Sequence, residues 1–400
     1  MIRLLIKTLP FNVRISQTKS ILLTKLVILH LAKRKNMSQN HLTHIRPEIL
    51  SMGAYHVPDA SGLIKLDAME NPYTLPEDLK AQLAAQLAQV ALNRYPAPSY
   101  TALKDALREY AHIPADKDII LGNGSDEVIA MLSQAISKPN ETVTVLAPAP
   151  SFVMYKMSGL FNHLNVVEIA LNADDFSLNV RAWTDAIAQY KPALVYLPFP
   201  NNPTGNLFDA SAMRTLIEAA KDSIVVVDEA YQPFALHTWM DALNEFDNLL
   251  VMRTVSKLGL AGIRLGYMAG SPALISELDK VRPPYNVNVL TEATATFVLK
   301  HADVLAQQAD SIRAERTRVC AALAQMSDVR VYETAANFVL VRLSEAYDAD
   351  AVFAGIRERG VLIKNMSHAH ALLHNCLRIT ISTPEENEAM LVALDGAIRE

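Results

Sequence analysis

Cysteine is nearly absent from this chain, and its scarcity excludes a protein that is held together by several disulfides. The two cysteines, Cys320 and Cys376, cannot build a disulfide framework, and they do not have the spacing of a zinc site. Long apolar runs are missing from the N-terminal leader as well. Its longest run, residues 21–31, is interrupted by Lys25 and His30 and is too short for a bilayer, which takes ~20 apolar residues. We therefore expect neither a disulfide scaffold nor a membrane protein.

A basic stripe is also missing from the body of the chain. The net charge of −5 combines a leader, residues 1–36, that carries eight Lys or Arg and no acidic residue with a body of 29 basic and 42 acidic residues. Such an acidic body argues against nucleic acid as a partner. No Walker motif or GxGxxG fingerprint occurs, which disfavours ATP and dinucleotide binding.

The basic leader, residues 1–36, has three open interpretations. It could follow from an upstream start codon, since Met37 opens a more ordinary polar segment. Its lack of acidic residues and its mixture of Arg, Lys and Ser also resemble a transit peptide, and a membrane-surface helix is the third possibility. We expect a dispensable leader outside the fold and a cytoplasmic protein.

The body has the length and composition of a soluble protein with two lobes. Half of the 400 residues of the whole chain are hydrophobic and a fifth are charged. Short apolar runs alternate with helical patterns near residues 125–137, 178–190 and 209–221, which predicts an α/β fold: a mostly parallel central sheet covered by helices on both faces, plus a smaller α+β domain. The predicted strands are Ile119–Leu121, Thr142–Leu146, Ala193–Pro198, Ile224–Asp228, Leu249–Thr254 and Gly266–Ala269, the last of them antiparallel or at a bend.

After about residue 290 the pattern changes to that of the smaller domain. Two long helices, Thr291–Leu305 and Gln307–Gln325, precede a strand pair, a helix near Ala349–Arg359, two more short strands and a closing helix from Pro384. We predict residues 37–75 as an N-terminal arm and part of the small domain. Residues 76–290 are the large, cofactor-binding domain and residues 291–400 the small C-terminal domain.

Polar phrases follow several of the predicted strands, where ligands bind in parallel sheets. In GNGSDE, the backbone N–H groups of Ser125 and Asp126 open a helix and can face an anion, although ordinary helix capping explains the phrase equally well. In FPNNPTGN, residues 199–206, Pro203 would hold the Asn202 amide at the end of a strand. An ordinary polar loop is the alternative.

Asp228, which ends the apolar phrase IVVVD, needs a cationic or hydrogen-bonding partner if it is buried. A pyridinium N–H is such a partner, with Tyr231 donating to the phenolic oxygen of the same ring. Lys257, in a nearly charge-free stretch, would lose its proton readily and form a Schiff base with an aldehyde. Arg264 suits a phosphate. The plain alternatives are a helix cap for Asp228 and a surface lysine for Lys257.

The order GNGSDE, NNPTG, DEAY, SK, R resembles the pyridoxal-phosphate-dependent aminotransferases of fold type I. Further phrases, among them LDAMENPY, NRYP, PSFVMY, RTVSKLGLAGIRLGY, TAANFVLVR and CLRITISTPEEN, resemble the histidinol-phosphate aminotransferase family over roughly residues 45–400. The resemblance implies pyridoxal 5'-phosphate as cofactor, small-molecule substrates and a homodimer. Its implied catalytic residues are Lys257, Asp228 and Tyr231.

The resemblance also implies which residues bind the cofactor and the substrate. Asp228 would pair with the pyridine nitrogen, Phe152 would stack on the ring, and Tyr95 would reach the phosphate held by the other subunit. Core packing is the alternative for Phe152. The other implied cofactor-binding residues are Asn202 and Tyr231 at the phenolic oxygen and Ser125, Asp126, Ser256 and Arg264 at the phosphate. The implied substrate-binding residues are Arg378, Lys364, Asn337 and Tyr155.

Two positions depart from the family pattern. Met69 stands where the family usually has asparagine, and Lys364 stands where an arginine is common. A lysine offers phosphate a point charge without a bidentate grip. The following loop carries His368, His370 and His374, but we expect a polar loop and no metal site.

The expected activity is amino transfer between histidinol phosphate or imidazole-acetol phosphate and glutamate or 2-oxoglutarate, in histidine biosynthesis. Aromatic or aspartate aminotransferases and a threonine-phosphate decarboxylase share the cofactor residues and stay open as alternatives. A cofactor-sensing regulator would need a DNA-binding domain ahead of this fold, and the 36 leader residues carry no helix-turn-helix pattern. A plain scaffold would leave Lys257 without a purpose.

Overall fold

The computed structural model describes residues 41–54 and 57–399. The chain divides into two compact units, residues 1–59 and 60–400. The described part of the first unit contains a 3-10 turn at Leu42–His44 and a short helix, α1 (Pro47–Leu50). The basic leader, residues 1–36, lies outside the described residues. Within the described residues, no helix combines the length and apolar character that crossing a membrane requires.

The second unit is built around a seven-stranded sheet with the strand order β2-β8-β7-β6-β5-β3-β4. All neighbouring strands are parallel except that β8 runs antiparallel to both β2 and β7, as one of the two alternatives for this segment predicted. The seven strands of this sheet are β2 (Asp118–Gly122), β3 (Thr144–Ala149), β4 (Asn165–Ala170), β5 (Leu194–Pro198), β6 (Ile224–Asp228), β7 (Leu249–Thr254) and β8 (Gly266–Gly270). The strand β1 (Ile64–Lys65) precedes them in the chain and lies outside this sheet.

Helices cover both faces of this sheet. Alternate residues of β6 enter different apolar clusters: Val225 and Val227 pack into one, and Val226 into the other. A strand buried on both faces needs a continuous apolar sequence, which IVVVD supplies. The helices between residues 77 and 279 are α2 (Glu77–Leu87), α3 (Thr101–Ala111), α4 (Ser125–Ile136), α5 (Val153–Phe161), α6 (Val180–Tyr190), α7 (Ala210–Ala219), α8 (Gln232–Ala235) and α9 (Pro272–Asp279).

A smaller antiparallel sheet, of order β12-β13-β10-β9, forms a third apolar cluster with the C-terminal helices. The early strand β1 pairs in parallel with β11. The remaining helices are α10 (Val289–Leu299), α11 (Ala302–Leu323), α12 (Ala349–Glu358) and α13 (Pro384–Arg399). The remaining strands are β9 (Val329–Val331), β10 (Phe338–Leu343), β11 (Val361–Leu362), β12 (Lys364–Asn365) and β13 (Cys376–Thr380).

The sequence did not predict the edge strand β4 or the helix α5 before it. In β4 the polar Asn165 and Glu168 interrupt the apolar run, and one face of the strand is open to solvent. The predicted break between the two long helices was wrong by several residues. It falls at Lys300 and His301, where α10 ends and α11 begins, because the apolar spacing continues across the short connection.

Candidate active site

Ten of the predicted site residues meet in one cleft at the carboxyl ends of β5, β6 and β7. The cleft contains about 620 Å³ of space outside protein atoms, including the part that is open to solvent. The predicted residues that line it are Ser125, Asp126, Phe152, Tyr155, Asn202, Asp228, Tyr231, Ser256, Lys257 and Arg264. Each of them lies at the end of a strand or in the segment that follows one, where ligands bind in sheets of this type.

Asp228 is the last residue of β6 and is only 6% exposed. Both of its hydrogen-bond donors are neutral groups: Tyr155 OH lies 2.6 Å from Oδ2, and Ala230 N lies 3.0 Å from Oδ1. Burial raises the pKa of Asp228 to about 6, and the Tyr155 hydrogen bond opposes that rise. A carboxylate in this position would be stabilised by a cationic N–H in the cleft.

Tyr155 belongs to an aromatic group beside Asp228. Its ring stacks on Tyr196 with centroids 4.3 Å apart and meets Phe152 edge-on at 5.6 Å. Burial, followed by the Asp228 charge, raises the pKa of Tyr155, so its hydroxyl keeps its proton and donates. The resemblance implied a substrate contact for Tyr155. The structure places its hydroxyl on the Asp228 carboxylate.

Lys257 lies in a π-helical turn, Ser256–Leu260, that is separated from the end of β7 by one residue. Its Nζ donates a 2.9 Å hydrogen bond to the carbonyl oxygen of Ala68. Burial and, after it, the positive charge of Arg378 together lower the pKa of Lys257 to about 8. At neutral pH a substantially larger fraction of this amine is uncharged than in an exposed lysine, which is what a nucleophile requires.

Arg264 forms the cationic end of the cleft. Its guanidinium lies 3.5 Å from both Asp126 Oδ2 and Ser256 Oγ, and it is about half exposed. Gly124, with φ +84°, packs directly against this guanidinium: a Cβ there would lie 2.5 Å from Nη2. A Cβ on Gly266 would overlap Ser125 N at the start of α4. Glycine at both positions therefore keeps open a polar cradle that suits an anion.

Arg378 connects the small sheet to the cleft. It lies on β13, and its Nη1 donates to Asn202 Oδ1 at 2.6 Å. Its guanidinium also lies over the ring of Phe338, 5.5 Å from the centroid, and Phe338 in turn meets the Tyr231 ring edge-on at 5.1 Å. Lys364 faces Arg378 directly in the register of β12 and β13. The two basic residues implied for substrate binding are therefore cross-strand neighbours.

Four predicted residues are not part of the cleft lining: Arg378 and Lys364, described above, and Tyr95 and Asn337. Tyr95 is 79% exposed and stacks on Tyr285, with ring centroids 4.5 Å apart. Asn337 is fully buried, and its Nδ2 donates to the carbonyl oxygen of Met69 at 3.0 Å. In this single chain Tyr95 is therefore available to another molecule, whereas Asn337 supports the backbone beside the cleft.

Sequence reasoning missed two sets of contacts around the cleft. The first is the segment of residues 67–69, whose backbone carbonyls accept hydrogen bonds from Arg378, Lys257 and Asn337. The only sequence feature that pointed to this segment was the departure of Met69 from the family pattern. The second is a buried ion pair directly after Asp228, in which Glu229 and Arg253 lie 2.8 Å apart. The phrase DEAY contains Glu229, but no local pattern identifies Arg253 as its partner.

The histidine-rich loop has carboxylate partners from other parts of the sequence. His368 Nε2 lies 2.9 Å from Asp350 Oδ2, and His374 Nε2 lies 3.5 Å from Glu345. Among the residues that the structure describes, no group of three or more His, Cys, Asp or Glu has an arrangement that could hold a metal ion.

Comparison with known proteins identifies the relatives of this chain. The family model of aminotransferase class I and II matches residues 61–394. The chain is 56% identical over 360 residues to histidinol-phosphate aminotransferase 1 of Ralstonia nicotianae, covering 89% of this chain and 95% of that protein. It is 54% identical over 350 residues to histidinol-phosphate aminotransferase of Chromobacterium violaceum, covering 88% and 96%.

A solved structure has the same fold. The histidinol-phosphate aminotransferase from Sinorhizobium meliloti, in complex with pyridoxal-5'-phosphate, superposes with a TM-score of 0.77 at 22% identity and covers 89% of this chain and 98% of that one. At that level of identity the likeness concerns the fold, which is the predicted α/β fold of type I.

Proposed function

The chain belongs to the class I and II aminotransferase family, and we propose that it uses pyridoxal 5'-phosphate to move an amino group between histidinol phosphate and 2-oxoglutarate. The curated relatives at 56% and 54% identity support this substrate, since both are histidinol-phosphate aminotransferases. The observation that carries the cofactor proposal is one cleft with a buried carboxylate at one side, an amine of lowered pKa at another and an anion cradle at a third.

The residues of the cleft fit this cofactor. Asp228 is a buried carboxylate whose donors are both neutral, and the N–H of a protonated pyridine would supply the missing positive partner. The space kept open by Gly124, beside Arg264, suits the phosphate. Asn202 and Tyr231 would hold the phenolic oxygen and Phe152 the ring face; the phosphate contacts would come from Ser125, Asp126, Ser256 and Arg264.

When bound, pyridoxal phosphate supplies an aldehyde that takes up the amino group and a protonated ring that withdraws electrons from the substrate α-carbon. Asp228 would keep the ring nitrogen protonated. The Lys257 amine would hold the aldehyde carbon covalently and, once released by substrate, carry a proton from the α-carbon to the cofactor carbon. Its lowered pKa, about 8, suits a group that must accept a proton and return it near neutral pH.

The substrate is held by the opposite, basic part of the site. Arg378 would bind the anionic group of the amino donor or acceptor, with Lys364 beside it as a second cation. Arg378 also holds Asn202, so it links the substrate's anion to a side chain at the cofactor. The alternating use of one site by two substrates predicts ping-pong kinetics.

We propose a homodimer in which Tyr95 reaches the phosphate bound to the other subunit. Tyr95 is a large aromatic side chain that is 79% exposed and stacks on Tyr285, which is itself 41% exposed. Leu92 and Leu290 are further exposed apolar side chains, on the segments that carry the two tyrosines. Aromatic residues are enriched where protein surfaces meet.

The deciding experiment has two parts. The purified protein with pyridoxal phosphate should show visible absorption that borohydride abolishes, and Lys257→Ala should lack it, whereas Lys280→Ala, an exposed lysine paired with Glu277, should retain it. Absence of this absorption in the wild type contradicts the cofactor proposal. A half-reaction panel then compares histidinol phosphate with aromatic amino acids, aspartate and threonine phosphate. If histidinol phosphate is not the best donor, the substrate proposal fails and the cofactor proposal stands.

A further inference from the structure

Three consecutive carbonyl oxygens beside the cleft accept hydrogen bonds from three distant site residues. We call this segment, residues 67–69, the strap. Its donors are Arg378 Nη2 to the first carbonyl at 2.8 Å, Lys257 Nζ to the second at 2.9 Å and Asn337 Nδ2 to the third at 3.0 Å. The donors come from β13, from the turn after β7 and from the residue before β10. The strap therefore joins the reactive lysine to both long strands of the small sheet.

The backbone of Met69 has a conformation that methionine rarely adopts. Its φ is +54°, in the left-handed region, although its side chain is 8% exposed and packs in the small-sheet cluster. Its N–H donates to Thr380 Oγ1 at 3.1 Å, so both of its backbone polar groups are bonded. A buried non-glycine residue held in this region by its surroundings is a sign of a functional constraint.

We propose that the strap is the resting place of the Lys257 amine whenever that nitrogen is not bonded to the cofactor, and that Met69 is the positioning residue that fixes the strap. The proposal rests on the proposed function, in which Lys257 alternates between a covalent bond and a free amine. A free lysine side chain has many rotamers, and an amine that must carry a proton has to stay beside the reacting carbon. The Ala68 carbonyl provides an acceptor for it in either protonation state.

The left-handed turn at Met69 explains how the three carbonyls come to face their donors. Thr380 and Arg378 lie two residues apart on β13, on the same face, and each holds one end of the strap. Rotating Met69 to an ordinary negative φ would change the direction of the chain at the end of the strap and displace the second carbonyl. The reactive amine would then lose its acceptor while Asp228 and the phosphate cradle stayed in place.

The test uses Met69→Ile, because a β-branched side chain strongly disfavours positive φ. In the cofactor-free protein, acetylation of Lys257 by acetic anhydride, followed by mass spectrometry, should proceed about fivefold faster in the variant, as the amine loses its hydrogen bond. With cofactor and histidinol phosphate, the rate of the half-reaction should fall by about the same factor, while the cofactor absorption stays near the wild-type value.

Three further variants make the outcome decisive. Met326→Ile places the same substitution at a partly buried methionine with ordinary φ and is expected to behave as the wild type. Met69→Asn, which tolerates positive φ, should retain more of both properties than Met69→Ile. If Met69→Ile does not fold, Thr380→Val removes the acceptor of the Met69 N–H and should raise Lys257 acetylation in its place.

Wild-type acetylation and half-reaction rates in Met69→Ile would overturn the proposal, and so would a Met69→Asn variant as impaired as Met69→Ile. The acetylation arm contains neither cofactor nor substrate. Its result therefore decides the position of the amine independently of whether histidinol phosphate is the donor.

Discussion

The Tyr155 hydroxyl donates a 2.6 Å hydrogen bond to Oδ2 of Asp228, and the two residues are 73 positions apart in the chain. Tyr155 keeps its proton because it is buried and faces a carboxylate, so the hydrogen bond has one direction only. It stabilises the ionised form of Asp228 against the cost of burial. The proposed contact between Asp228 and the cofactor nitrogen therefore depends on a tyrosine outside the motif that contains Asp228.

Replacing Tyr155 by Phe should weaken catalysis through Asp228. A hydrogen bond to a charged group contributes about 1.5–3 kcal/mol, so the pKa of Asp228 should rise by about one unit or more and kcat/KM should fall about tenfold. The acid limb of the pH profile should move to higher pH. Tyr196→Phe is the matched control, since Tyr196 stacks on Tyr155 without bonding to Asp228. An unshifted acid limb in Tyr155→Phe would contradict this role.

Asp228→Asn should change how the stability of the cofactor-free protein depends on pH. The pKa of Asp228 is raised from 3.8 to about 6 in the folded state, so the folded protein binds the extra proton between these values. The free energy of unfolding should therefore decrease as pH rises through this window, by about 3 kcal/mol. The Asp228→Asn variant has no carboxyl group at this position. Its free energy of unfolding should therefore not show the part of the decrease that comes from Asp228.

Urea unfolding at several pH values between about 4 and 7 measures the effect, as the difference between variant and wild type. Asp185→Asn, which alters an exposed carboxylate on α6, should leave the pH dependence unchanged. The same curve for Asp228→Asn and wild type would mean that Asp228 is not the buried carboxylate responsible.

Gly124→Ala should weaken cofactor binding at the phosphate. The added Cβ would lie 2.5 Å from Arg264 Nη2, so the guanidinium must move away from the cradle, and φ +84° adds backbone strain. We expect the dissociation constant for pyridoxal phosphate to rise at least about tenfold, as measured by absorbance titration. Gly62→Ala is the control for backbone strain alone, because Gly62 also has a positive φ, +75°, but its added Cβ would contact no other atom. Equal losses in both variants would exclude a specific effect on Arg264.

Mixing two defective variants tests the proposed dimer. At limiting cofactor concentration, Tyr95→Ala and Lys257→Ala should each have low activity alone. A mixed dimer would contain one site with both Lys257 and the partner's Tyr95 intact, so random exchange should restore about a quarter of wild-type activity. Size-exclusion chromatography with light scattering confirms that both variants remain dimers. No recovery after subunit exchange would indicate that Tyr95 does not act across an interface.

The sequence by itself determined the layers of the fold and predicted ten side chains that line one cleft. Continuous apolar runs such as IVVVD can be buried only in a sheet covered on both faces, and the polar side chains that follow such strands must lie together at one edge. That reasoning located Asp228, Lys257 and Arg264 without any knowledge of distances. It failed at β4, whose half-exposed pattern is not that of a fully buried strand.

Only the tertiary structure decided which side chains support these residues. The hydrogen bond from Lys257 to Ala68 spans 189 positions, and that from Arg378 to Asn202 spans 176. No local pattern encodes such pairs, because propensity and periodicity act over a few residues, whereas these hydrogen bonds join segments that only the complete fold brings together. For the same reason the proposed role of Met69 could not be read from its side chain: it depends on a backbone angle and on hydrogen bonds to Thr380 and Asn337, which are distant in the sequence.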